Sequence, residues 1–281
     1  MIIILLILLI FSSPAMAQIQ ALTQGPDENI WAAEPNRLFK IAANVEIVTW
    51  YQSPGTIRTL LFDDHQNLWI GTDQGLVRCK NNECKPDSRI PAAAVIALAP
   101  GNEALWIATN EKLYQIRNNT ITSAALPSNR IEAIAAKEEG SVWVGTRSSV
   151  QIFRNGSFQE MLKTSAQAIA IDPTTGAVWI GAGHELIRRE NGKTETFSLP
   201  APPANVRMRP PITTILPTRS GKIYLGTHGG LLQLSNGSFR KVLDEGVFAL
   251  LEDKKGTLWI GTSDGLKKIV NGKIMDVPLP E

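Results

Sequence analysis

The sequence predicts an all-β chain, a seven-bladed β-propeller with four-stranded antiparallel blades. Three observations carry this reading. A short aromatic motif recurs seven times at spacings close to 37 residues. Nearly every copy is followed, at a fixed distance, by an Asn-Gly or Asn-Asn turn signal. No stretch sustains helical periodicity, so the repeated unit is built of strands.

The chain opens "MIIILLILLIFSSPAMAQ", an apolar run from Ile2 to Phe11 followed by small residues and the triplet Ala15-Met16-Ala17. That is the layout of a secretory signal peptide over residues 1–17, with residues 18–281 as the mature domain. The apolar run is shorter than the roughly 20 residues that span a bilayer, and no later segment is apolar enough to do so. Export to the periplasm or the medium is therefore expected, with no membrane span after cleavage. A formal net charge of +2 is too slight to predict a nucleic-acid footprint.

The repeat aligns on Trp31, Trp69, Trp106, Trp143, Trp179, Tyr224 and Trp259, at spacings of 38, 37, 37, 36, 45 and 35 residues. Two places after the aromatic the chain has only Ala or Gly. Seven places after it the residue is Leu or Val in every copy. Twelve and thirteen places after it come "AN", "NN", "NN" and then "NG" four times. Asn and Gly tolerate the positive φ that a two-residue type I′ hairpin turn demands.

Each unit then reads as four strands in order. A first strand such as "IRTLLFD" or "VFALLED" leads through a polar turn to the aromatic strand "LWIGT"; a tight loop leads to a third strand such as "GLKKIV", and the Asn-Gly turn to a fourth such as "KIMDV". Units of this size are propeller blades. "IQAL" at 19–22 occupies the first-strand position of blade one, and Lys273–Val277 the fourth of blade seven. The ring is thus expected to close by packing, without a strand lent from the other terminus.

The quoted motifs "GTLWIGTSDGL", "QNLWIGTDQGL", "GSVWVGTRSSV" and "GKIYLGTHGGL" resemble the two-component regulator propeller repeat. The resemblance implies the propeller fold and the periplasmic ligand-binding sensor region that such repeats build in many bacterial hybrid histidine kinases. Within these residues no transmitter follows, so signalling would need a separate partner such as a sensor kinase. A broader resemblance to streptogramin-lyase-like propellers implies an enzymatic alternative, without His and Glu positions that transfer. A structural scaffold of an envelope assembly is the third reading.

Several residues invite sharper readings. The aromatic ladder is expected to be core, since burying one Trp removes about 150–250 Å² from water, an upper estimate of about 4–6 kcal/mol. Trp50 and Tyr51 lie outside the ladder on the predicted outer strand of blade one, as edge packing or as a partner contact. Gly261-Thr262-Ser263-Asp264-Gly265 satisfies G-x-S-x-G, but a nucleophile elbow joins a strand to a helix, and Ser263 joins two strands. No catalytic residue, cofactor or metal is expected.

Cys79 and Cys84 align with Phe153 and Phe158, and with Ile269 and Ile274, facing each other across the hairpin. This predicts a disulfide worth about 2 kcal/mol in the chain-entropy account. The long spacing is an insertion, "SLPAPPANVRMRPPI" at 198–212, carrying Arg207 and Arg209. Loops from fourth to first strands share a face with those after the aromatic strand. Arg58, Arg130, Arg147, His184, Glu185 and His228 should lie on that face with the insertion. This candidate binding face suits an unknown small ligand, anionic in preference, or an acidic protein surface; ordinary solvated loops are the plainer reading. His184, Glu185 and His228 together are the one candidate for metal or acid–base chemistry.

Overall fold

A computed structural model describes residues 18–42, 46–126, 130–201 and 210–280. The predicted leader, the Ala43-Asn44 turn, and Arg207 and Arg209 lie outside the described residues. Each described Asn pair or Asn-Gly pair twelve places after its aromatic has positive φ at both positions, from Asn81 (51°) and Asn82 (65°) to Asn271 (51°) and Gly272 (77°). These are the hairpin turns that join the third and fourth strands of each blade.

The strands form seven separate four-stranded sheets, each antiparallel and ordered one to four from the ring's axis outward. The blades cover residues 21–52, 57–86, 95–125, 131–162, 168–198, 212–243 and 247–277. First strands pack against first strands all the way round, and that of blade one (Ala21–Gln24) against that of blade seven (Val247–Glu252). Blade one's first strand begins two residues later than "IQAL" suggested, because Ile19 is used differently: its amide crosses the seam to the carbonyl of Thr262, 3.0 Å away. The ring therefore closes by packing, with Ile19, Trp259, Leu266 and Val277 sharing one buried cluster.

The small column two places after the aromatic has a direct cause. A Cβ on Gly261 would sit 2.6 Å from the carbonyl oxygen of Ile19, and one on Gly71 2.6 Å from Cγ1 of Val95. In each case the residue that opens the next blade is in the way, joined at Gly71 by Thr59 Cγ2 of the same blade at 2.5 Å. Those opening residues, Ile19, Ile57, Val95, Ile131, Ala166, Ile212 and Val247, are all fully buried. The glycine is thus the slot into which the neighbouring blade docks.

The tryptophans of the ladder are buried as expected, while Tyr224 is only half-buried. Two further columns reinforce them. Nine places after the aromatic, directly across the strand pair, Lys40, Arg78, Arg188 and Lys268 set their cationic groups 5.3–5.7 Å from the ring centres of Trp31, Trp69, Trp179 and Trp259. Six places before it, Asp63 and Asp253 each accept the indole N–H of Trp69 or Trp259 at 2.8 and 2.9 Å. Burial raises the Asp63 pKa, but hydrogen bonds from Trp69, Asn67 and His65 outweigh it and hold the carboxyl below its ordinary value.

Cys79 and Cys84 are opposite each other and joined by a disulfide, with Cα atoms 4.0 Å apart. The bridge packs in the same cluster as Trp31 and Trp50. Trp50 meets Trp31 edge-on with ring centres 4.7 Å apart, so the outer aromatic is part of the packing of blade one.

Candidate functional site

The first strand of most blades carries a register shift near its start: between Ile57 and Thr59, Ile131 and Ala133, Ile212 and Thr214, Val247 and Ala249, and opposite Ala108 and Thr109 in blade three. A bulge leaves one residue outside the ladder and re-aims it. The residues so placed are Arg58, Ile96, Glu132, Thr213 and Phe248. Gln20 and Gln167 hold the same place in blades one and five, their amides bonded to the carbonyls of Ala33 and Gly181.

These seven residues stand in one tier at the end where fourth-to-first loops emerge, five of them within the innermost strands and Gln20 and Gln167 just before theirs. The residue before each is fully buried and the residue after each is Ala or Thr. The bulge residues themselves are half-buried or exposed. Around a nearly invariant frame this tier reads Gln, Arg, Ile, Glu, Gln, Thr, Phe; Thr213 turns its hydroxyl to the carbonyls of Gly226 and Val247, at 3.0 and 2.9 Å, while the variety of the others is not set by a packing column. It is the natural place for recognition on a rigid ring.

The structure brings some of the predicted residues to this tier. Arg58 is a bulge residue, exposed and without an ion partner among the described residues. Arg147 donates from Nε to Glu132 Oε1 at 2.8 Å, and Arg130 Nε lies 3.8 Å from the same oxygen. Glu132, which the sequence reading did not single out, thus converts two separate cations into a triad carrying one net positive charge.

His228, in the loop after the aromatic strand of blade six, sets its ring edge-on to Phe248 with centres 5.3 Å apart. His184 occupies the corresponding loop of blade five; its ring is exposed and its carbonyl accepts the amide of Leu199 at 3.0 Å. Glu185 begins the third strand of that blade, opposite Ala182 and Ser198. His184, Glu185 and His228 share no hydrogen bond or ion pair, and no group of three metal-binding side chains occurs among the described residues.

The insertion reaches the same loops. At its end, the amide of Ile212 bonds the carbonyl of Gly183 at 2.9 Å, and Pro210 lies against Gly229 so closely that a Cβ there would be 2.9 Å from the proline Cγ. The expected neighbourhood of insertion, His184 loop and His228 loop therefore holds for the described parts of it. Ser263 sits in an ordinary strand-to-strand loop, its amide bonded to Gly246 O at 2.9 Å and its neighbour Asp264 to Thr262 Oγ1 at 3.0 Å.

The fold and this tier define a seven-bladed propeller with a variable inner rim. Residues 241–264 match the model of the two-component regulator propeller family, so the repeat read from the sequence is present. No curated protein matches the chain in sequence. Among solved structures, the extracellular domain assigned to a one component system from B. thetaiotaomicron aligns at 18% identity and TM-score 0.78, over 90% of this chain and 38% of that one. The chain thus spans well under half the length of that structure.

A streptogramin B lyase aligns at 16% identity and TM-score 0.77, over 91% of this chain and 94% of its own. A catalytically inactive virginiamycin B lyase from Staphylococcus aureus with quinupristin aligns at 14% identity and TM-score 0.75, over 91% and 96%. At these identities the likeness is one of fold. Among the described residues no helix is long and apolar enough to cross a membrane.

Proposed function

We propose that this chain is an exported, non-enzymatic propeller that binds a ligand or partner protein on the face carrying the 198–212 insertion, and passes the signal through that contact. The observation that carries this is the tier of bulge residues. Seven positions that could have been uniform are Gln20, Arg58, Ile96, Glu132, Gln167, Thr213 and Phe248, framed by columns that barely vary.

Likeness to the extracellular domain of a one component system supports a sensor role, and a separate sensor kinase is the kind of partner that role requires. The enzymatic alternative, drawn from the lyase likeness, needs an acid and a base converging at one point. The separate settings of His184, Glu185 and His228 supply no such convergence, so binding is the better-supported reading.

The test is capture from an envelope extract with the wild-type chain and with Arg58→Ala/Gln167→Ala/Phe248→Ala. These positions lie outside the blade-docking columns, so the variant should keep its melting midpoint and lose the partner. Equal capture by a folded variant would refute the assignment.

A further inference from the structure

Six of the seven seams are bridged by the chain itself, because the fourth strand of one blade runs on into the first strand of the next. The seam between blades seven and one has no such connector. Past the fourth strand of blade seven (Lys273–Val277), the next residues lie on blade one instead. Val277 is buried at the seam, and Leu279 packs half-buried against the cluster that holds Ile19, Ile30 and Ile41. The carbonyl of Pro280 accepts from Arg37 Nη1 at 3.3 Å.

Blade one departs from the repeat at the two places that make this last contact. Three places after the aromatic, five blades carry Thr72, Thr109, Thr146, Thr227 and Thr262, each giving its hydroxyl to the carbonyl three residues on, at 2.8–3.2 Å. Blade five has Ala182 there, and blade one has Glu34. Six places after the aromatic the other blades read Gly75, Lys112, Ser149, Glu185, Gly230 and Gly265, whereas blade one has Arg37. Glu34 is only 4% exposed, and its Oε1 has no partner among the described residues, so a carboxylate costs more here than the threonine of the other blades would. What it adds is a hold on Arg37. Glu34 Oε2 takes Arg37 Nε at 2.6 Å, and the guanidinium lies 5.2 Å from the ring centre of Phe39. Held on two sides, Arg37 presents Nη1 in one direction, towards the Pro280 carbonyl.

We infer that Glu34 and Arg37 form a clasp for residues 278–280, which stands in at this seam for the connector that the chain supplies at the other six. The clasp also sets the spacing of Gln20 and Phe248, the tier residues on either side of the seam. Methyl NMR of the intact chain labelled at isoleucine δ1 positions tests this, with Ile19 reporting on the seam and Ile131, which opens blade four at a chain-bridged seam, as control. In Arg37→Gln, and in a chain ending at Val277, the Ile19 methyl order parameter should fall by at least a third while that of Ile131 stays within a tenth. Combining the two changes should lower it no further than the truncation alone, since Arg37 acts through Pro280. Arg37→Gln strands the Glu34 carboxylate; should it fail to fold, Glu34→Thr/Arg37→Gln, which restores the threonine of the other blades, makes the same test. An Ile19 methyl as ordered as in wild type in either folded variant, equal loosening of Ile131, or losses that add in the combined protein would overturn the inference.

Discussion

Replacing Gly261 by Ala probes how tightly the ring is shut. The new Cβ would lie 2.6 Å from the carbonyl oxygen of Ile19, 2.8 Å from its Cγ2 and 3.1 Å from its Cβ. Ordinary contacts of this kind need about 3.5 Å, so blade one would have to retreat by about 0.5–0.9 Å. Its freedom to do so is small, because Ile19 N bonds Thr262 O at 3.0 Å, Lys254 N bonds Gln24 Oε1 at 2.9 Å, and Arg37 Nη1 bonds Pro280 O at 3.3 Å across the same seam. Overpacking of this sort costs about 1–3 kcal/mol, offset by about 0.4–1 kcal/mol from the stiffer unfolded chain. The net loss of about 1–2 kcal/mol corresponds to about 2–8 °C in the melting midpoint for a chain of this size.

Gly71→Ala is the internal comparison. Its nearest obstacles are methyl groups, Thr59 Cγ2 at 2.5 Å and Val95 Cγ1 at 2.6 Å, which can turn aside where a backbone carbonyl cannot. Urea unfolding followed by tryptophan fluorescence should rank wild type, Gly71→Ala and Gly261→Ala in falling order. A Gly261→Ala midpoint equal to that of wild type, or above that of Gly71→Ala, would refute the claim that backbone contact at this seam closes the ring.

Other consequences are equally open to measurement. Asp63→Asn leaves one of the buried donors around it, Trp69 Nε1 included, without a good acceptor, and should cost about 1–3 kcal/mol. Asp63, Asp87 and Asp172 all have folded pKa values below their ordinary ones, Asp87 chiefly through Arg89 and Asp172 through hydrogen bonds that outweigh its burial. Their contribution is present above the unfolded value of about 3.9 and is lost as pH falls through the folded values, so stability should be flat near neutrality and drop below about pH 4. Asp63→Asn should shrink that acid-limb drop, which a series of urea curves from pH 2 to 6 would register. Reduction of Cys79–Cys84 should cost about 2 kcal/mol. Cys79→Ile/Cys84→Ile, the pair that blade seven carries at 269 and 274, should recover most of it; a reduced protein as stable as the oxidised one would contradict the assignment.

The sequence made the ring legible because each blade repeats the same physical problem. The aromatic, the small residue two places on and the Asn-Gly turn recur since each serves blade packing or hairpin closure, and the Cys79–Cys84 contact followed from the register of Phe153 with Phe158. The cations nine places after the aromatic recur in four of the seven copies, and alignment on that column would have found them; the aspartates six places before it stand only in blades two and seven, too few to show as a column. The bulge tier was harder to see. Arg58 could be placed near this face from its position at the start of a first strand, but the bulge that re-aims it has no residue signature of its own, and Glu132 looks like an ordinary strand residue in the sequence. Likewise the charge on Arg130 and Arg147 looked free until Glu132 was found between them.

Amide hydrogen exchange of the wild-type chain, alone and with its captured partner, tests the central claim most directly. Binding at the bulge tier predicts new protection in the loops 53–56, 147–149, 183–184 and 228–229, with the loops 63–67, 100–104 and 137–141 of the opposite face unchanged. Protection confined to the opposite face would contradict it.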